Sequence, residues 1–151
     1  MNPFVRYPGG GATLLAPVGS ENSRHGYGLQ LARLTGIIEC AYCRLDLRQS
    51  YEAWLLTTVD HVIPTKQATR LGIDPKWATN PINLVLACSG CNGLDNRYTI
   101  NAEPRDSWSL EDFVMLRDSV FEERIVRIAP RRTNERAFYE QNWRMLQILR
   151  P

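Results

Sequence analysis

The chain has four cysteines, and all four fall in two C-x-x-C pairs, Cys40-Ala41-Tyr42-Cys43 and Cys88-Ser89-Gly90-Cys91. No other feature limits the fold as strongly. Two such pairs can close one tetrahedral site, because a zinc ion takes four thiolates at about 2.3 Å. In a secreted chain four cysteines could instead form a disulfide framework. The start, Met1-Asn2-Pro3-Phe4, lacks the basic residues and apolar core of a signal peptide, so we expect a reducing, cytoplasmic setting and metal binding. C-x-x-C also serves as a redox motif, but there is no β-α-β context here to support that use. The pairs are 44 residues apart, more than the ~15–20 of a simple zinc ribbon. A sizeable segment is therefore inserted between the knuckles.

With 151 residues, 44% hydrophobic and 23% charged, the sequence suits one globular domain with a modest core. The net charge of +2 permits a nucleic-acid partner without requiring one. No apolar run approaches the ~20 residues of a membrane span.

Residues 1–23, with Pro8-Gly9-Gly10-Gly11 and Pro17-Val18-Gly19-Ser20 and a Leu14-Leu15 pair, read as a loosely ordered lead. His25 has no ligand spacing around it and reads as a surface-loop residue. Gln30–Thr35 suits a short helix stopped by Gly36. Ile37-Ile38-Glu39 is expected as a strand into the first knuckle, and Tyr51–Trp54 as a helical turn. Leu55–Val59 is rich in β-formers and should be a strand delivering Asp60 and His61, ended by Pro64. Within the inserted 65–82, Gly72 closes one helical turn and Asp74-Pro75 opens another. Asn80-Pro81 is a turn signal. Asn83–Ala87 is an apolar run into the second knuckle, and a short helix is expected after Asn92.

From 109 to 149 the pattern is helical. Ser109-x-x-Asp112 resembles a capping box, and Leu110, Phe113, Val114, Val120, Phe121, Ile125 and Ile128 recur at helical spacing as core cover. Ala129-Pro130 is expected to break this helix, with a second running from Thr133 to Leu149. Arg124, Arg127, Arg131, Arg132 and Arg136 cluster around the break. They form either a solvated face or a phosphate-binding patch, with Arg131 and Arg132 as the candidate nucleic-acid contacts.

Asp60-His61 places a carboxylate beside an imidazole, the material of a hydrolytic metal site. Hydrolysis of a phosphodiester requires a deprotonated water, neutralised phosphate charge and a stabilised leaving oxygen. A histidine near neutral pKa can do the first, and a divalent cation on oxygen ligands the others. Adjacent residues of a regular strand point to opposite faces. Asp60 and His61 can therefore share a site only if the strand ends or bends there.

Cys40/Cys43, Asp60-His61-Val62-Ile63-Pro64, Asn83-Leu84-Val85-Leu86-Ala87-Cys88 and Cys91-Asn92 together resemble the HNH endonuclease family. The likeness covers residues 40–97, somewhat over a third of the chain. It implies an α+β fold, a ββα-metal core over 37–98 stapled by a four-cysteine structural Zn²⁺, with helical flanks. It further implies that His61 is the general base and that Asn83 braces the loop carrying it, a role for which Asn80 competes. Asp60 and Asn92 would hold a catalytic Mg²⁺ or Mn²⁺, although Asn92 could also be a helix cap. Asn92 stands where the family name has its final histidine. Family members often carry Lys or Arg soon after; here Arg97 alone could serve. The implied activity is metal-dependent cleavage of DNA, expected to be double-stranded. The competing reading is an inactive zinc-stapled nucleic-acid-binding module.

Overall fold

The computed structural model describes residues 2–11 and 27–148. His25, Leu14-Leu15, the 17–20 turn cluster and Leu149 lie outside the described residues. The fold is α+β. Helix α1 (Leu29–Thr35) stops at Gly36, which takes the left-handed conformation at φ 68°. Helix α2 (Tyr51–Leu55) is capped by Ser50, whose hydroxyl accepts the Ala53 N–H at 3.1 Å. Strands β1 (Thr57–His61) and β2 (Leu84–Cys88) form a two-stranded antiparallel sheet in which Thr57 faces Cys88 and His61 faces Leu84. All of β2 is buried, which explains why it reads as an unbroken apolar run and not as an alternation.

The inserted segment forms two short helices, α3 (Thr65–Leu71) and α4 (Pro75–Ala78). Gly72 ends α3 at φ 76°, and a Cβ there would stand 2.4 Å from the Arg105 carbonyl oxygen. Asp74 caps α4 by accepting the Lys76 N–H at 2.9 Å. A 3-10 turn, Pro81–Asn83, leads into β2. Helix α5 (Ser89–Leu94) follows β2 directly and completes a strand–strand–helix unit. Its cap is Cys88, whose Sγ accepts the Cys91 N–H at 3.4 Å. The helix expected after Asn92 therefore starts before it, and Asn92 is not its cap.

Three further expectations are corrected. The strand at Ile37–Glu39 shrinks to one bridge, Glu39 to Asp46. The knuckle is instead a tight loop: Cys40 N–H donates to the Leu45 carbonyl at 2.9 Å, and Ala41 N–H reaches Leu86 of β2 at 2.8 Å. Residues 2–11 are packed and not loose, because Phe4 and Tyr7 are buried and the Tyr7 hydroxyl donates to the Leu84 carbonyl at 3.1 Å. Lastly, one helix, α6 (Leu110–Ile148), runs straight through Pro130. Proline deprives the Val126 carbonyl of its helical donor. Val126 is 71% exposed, so water can satisfy that carbonyl, and the helix persists.

At the start of α6 the Asp112 N–H donates to Ser109 Oγ at 3.0 Å, as the capping pattern suggested. Phe113, Val120, Phe121 and Ile128 are buried, while Leu110 is exposed. Two arginines, Arg117 and Arg124, occupy the same buried face. Beyond Ile128 the helix leaves the core, and Phe138, Tyr139 and Met145 are exposed. Among the described residues no helix is long and apolar enough to cross a membrane.

Candidate metal centre and active site

The two knuckles meet. The Sγ atoms of Cys40, Cys43, Cys88 and Cys91 all lie within 4.8 Å of one another. Cys43 Sγ and Cys88 Sγ are 3.8 Å apart. That is too far for a disulfide, and it matches the ~3.8 Å edge of a tetrahedron of sulfurs at about 2.3 Å from a central ion. The four thiols are thus placed to hold a metal ion. Arg132 of α6 adds a charged contact, its guanidinium donating to Cys91 Sγ at 3.2 Å.

A second group of polar residues collects where β1 ends. His61 is the last residue of the strand, which frees Asp60 and His61 from strict alternation. Both line one cavity with Asn92, Asp95, Asn96 and Arg124. The cavity offers about 210 Å³, room for a cation with several waters at ~30 Å³ each. A larger groove runs between α5 and the 132–140 stretch of α6. It lacks any histidine, and Asp60 and His61 lie in the smaller cavity.

Asp60 is buried, and both of its contacts fall on Oδ2. The Tyr42 hydroxyl donates to it at 2.5 Å and the Arg124 guanidinium at 2.8 Å. Among the described residues no hydrogen bond reaches Oδ1. Burial pushes the Asp60 carboxyl up, opposed by Arg124 and Tyr42. Burial also works against charge on Arg124, but Tyr42, Asp60 and Asp95 outweigh it and hold the guanidinium above its ordinary range. The two directions pull apart over whether Asp60 is charged. A guanidinium and a hydroxyl both donating to one oxygen favour the carboxylate. His61 is half-buried, and burial lowers its imidazole below the ordinary value, with Asp60 acting the other way.

Asn83 is fully buried and clamps the chain just past His61. Its Oδ1 accepts the Ile63 N–H at 2.9 Å, while its Nδ2 donates to the Ile63 carbonyl at 2.9 Å and the Ala78 carbonyl at 2.8 Å. Its own carbonyl accepts the Val62 N–H at 2.9 Å. Asn80 instead turns back on α4 to the Lys76 carbonyl. Asn92 donates from Nδ2 to Thr58 Oγ1 at 3.3 Å.

Residues 40–97 match the family model described as HNH endonuclease. This segment is similar to HNH endonucleases. A search of curated proteins and a search of solved structures each returned no match. The family match spans both knuckles, both strands and α5, so the strand–strand–helix unit and the four-cysteine cluster fall within the matched segment, while α6 lies outside it.

The arginine cluster is neither a uniform solvated face nor an open patch. Arg124 is buried against Asp60. Arg127 pairs with Asp95 at 3.0 Å, and Arg131 contacts Asp95 at 3.4 Å and the Leu94 carbonyl. Arg132 is on Cys91, and Arg136 pairs with Glu140 at 2.8 Å. Arg97 is exposed. Sequence reasoning missed Tyr42, Asp95 and Arg124 as residues of this region. A signal for Arg124 existed: it stands four after Val120, three after Phe121 and four before Ile128, on the apolar stripe.

Proposed function

We propose that the chain is a metal-dependent endonuclease that hydrolyses DNA phosphodiester bonds, with double-stranded DNA as substrate and the cytoplasm as its setting. The observation that carries this reading is one cavity holding Asp60, His61 and Asn92 at the end of β1, inside the matched segment. His61 takes the proton from the attacking water, a role suited to an imidazole that burial keeps neutral. Asp60, through its Oδ1, and Asn92 supply oxygen donors for Mg²⁺ or Mn²⁺. Such a cation, when bound, neutralises phosphate charge and stabilises the leaving oxygen. Asn83 fixes the backbone that carries His61. The four cysteines hold Zn²⁺ as a structural ion. Arg97 is the candidate phosphate contact, and Arg131 and Arg132 are weaker ones, since each already has a partner in the fold.

A second reading has one observation in its favour: Asp60 Oδ2 is already taken by Tyr42 and Arg124. On that reading Asp60 is structural and the chain is an inactive zinc-stapled nucleic-acid-binding module. Supercoiled plasmid incubated with the purified protein separates the two. The nuclease reading expects nicked or linear DNA with Mg²⁺ or Mn²⁺, none in EDTA, and recovery on re-addition. Retarded but intact plasmid under every condition favours the binding module.

A further inference from the structure

We propose that Arg124 of α6 is a positioning residue for the nuclease site, aiming Asp60 and the backbone of His61 toward the cavity. The inference rests on the nuclease reading of Asp60 and His61 but assigns a role outside the HNH segment. Arg124 is 1% exposed, and a buried guanidinium is costly unless its partners are well placed. Its Nη1 carries three of them, and all three lie at the end of β1: Asp60 Oδ2 at 2.8 Å, and the carbonyls of His61 and Val62 at 3.2 Å each. The guanidinium lies 5.2 Å from the Tyr42 ring centroid, so the two donors to Asp60 Oδ2 also pack on each other. Holding Oδ2 from that side fixes the carboxylate plane and leaves Oδ1 for the cavity. Its Nε has no hydrogen-bond partner among the described residues and meets Asp95 Oδ2, on the residue after α5, only as an ion pair at 3.7 Å. One guanidinium thus ties both walls of the cavity to one point on α6.

Arg117 provides the internal comparison. It lies on the same buried face, two helical turns earlier, and its partners are the carbonyls of Gly10 at 3.2 Å and Ile82 at 2.8 Å, with Asp118 at 2.7 Å. None of these lines the cavity. A merely structural buried arginine should therefore behave as Arg117 does. A lysine keeps the charge at either position but loses the planar fork.

The test compares full-length wild type, Arg124→Lys and Arg117→Lys by melting temperature, by Mn²⁺ affinity from the paramagnetic signal of free Mn²⁺, and by plasmid cleavage. Loss of a residue that orients a metal ligand typically costs roughly 10–100-fold in affinity. We expect that loss of Mn²⁺ affinity in Arg124→Lys. Arg117→Lys should lower the melting temperature while Mn²⁺ affinity stays at the wild-type value. Wild-type Mn²⁺ affinity in a folded Arg124→Lys overturns the proposal, as does an equal loss in Arg117→Lys or a wild type that binds no Mn²⁺. A wild type that cuts no DNA, yet whose Mn²⁺ affinity depends on Arg124, sinks the nuclease reading and keeps only the part of this one that has Arg124 orienting Asp60 toward a cation. If Arg124→Lys does not fold, guanidinium NMR of the wild type decides. On Mg²⁺ addition the Arg124 signal should move and the Arg117 signal stay, and an unmoved Arg124 signal overturns the proposal.

Discussion

The hydroxyl of Tyr42 donates to Asp60 Oδ2 at 2.5 Å, joining the first cysteine knuckle to the end of β1. Tyr42 stands between Cys40 and Cys43, so a metal ion held by the knuckles also fixes the ring that orients Asp60. The ring stacks on Phe121 of α6 at 5.4 Å. The metal centre and the cavity are thus linked through two side chains, and Asn92, next to Cys91, provides a second link. Tyr42→Phe should keep metal content and fold, because the ring packing survives. It should lose about 1.5–3 kcal/mol of stability, as for a hydrogen bond to a charged group, and cleave more slowly. Calorimetry beside plasmid cleavage checks this, and a variant with wild-type stability and rate contradicts the link.

The pH profile follows from His61. Burial lowers its imidazole from the ordinary 6.5, with Asp60 opposing. A general base must be neutral, so cleavage should persist as pH falls through 6.5 and fail below it. The sign for stability is the same. The unfolded chain takes up the proton at the higher pH, so this contribution is intact above 6.5 and is lost as pH falls below it. A rate profile whose acid midpoint lies at or above 6.5 contradicts the assignment.

The arginines separate by their partners. Arg132 donates to Cys91 Sγ, which offsets the negative charge of a four-thiolate centre. Arg132→Ala should start with the same metal content but surrender the ion faster to a chromophoric chelator. Arg97→Ala should weaken DNA binding and flatten its salt dependence by about one unit of slope. Unchanged transfer and unchanged slope, respectively, contradict these two assignments.

Much of this was legible in the sequence, and the parts that were not share a physical cause. Gly36, Gly72, Asp74 and Ser109 mark helix ends through local backbone chemistry, and the helices stop or start there. The cysteine spacing likewise announced that the knuckles converge. What failed depended on distant partners. Pro130 removes the donor to the Val126 carbonyl, but Val126 is exposed, so water can take that donor's place and the helix continues. Phe4 and Tyr7 look loose beside the Pro8–Gly11 tract, but Arg117, more than a hundred residues away, packs over the Phe4 ring at 3.8 Å. Arg124 read as one member of a basic cluster, although its place on the apolar stripe pointed inward. The identity of its partner, Asp60, is set by the tertiary fold and not by anything local.

Two variants divide the metals. Cys91→Ser should lose the structural ion, lower the melting temperature and lose activity that added Mg²⁺ does not restore, because binding at such a centre contributes folding free energy. Asp60→Ala should retain the structural ion yet lose activity. It also leaves Arg124 buried without its closest carboxylate, so a lower melting temperature is expected. Elemental analysis beside cleavage checks both. An active Cys91→Ser protein contradicts the structural-metal claim, and an active Asp60→Ala protein contradicts the catalytic-cation claim.

The central claim is that hydrolysis happens at His61, and the most direct measurement is plasmid cleavage by His61→Ala under saturating Mg²⁺ or Mn²⁺. Among the described residues no side chain hydrogen-bonds the His61 ring, so its loss should leave the melting temperature, metal content and DNA binding close to wild type. The account predicts a rate lower by roughly 10²–10⁴-fold, the usual cost of removing a general base. A folded His61→Ala protein that cleaves at the wild-type rate would contradict it.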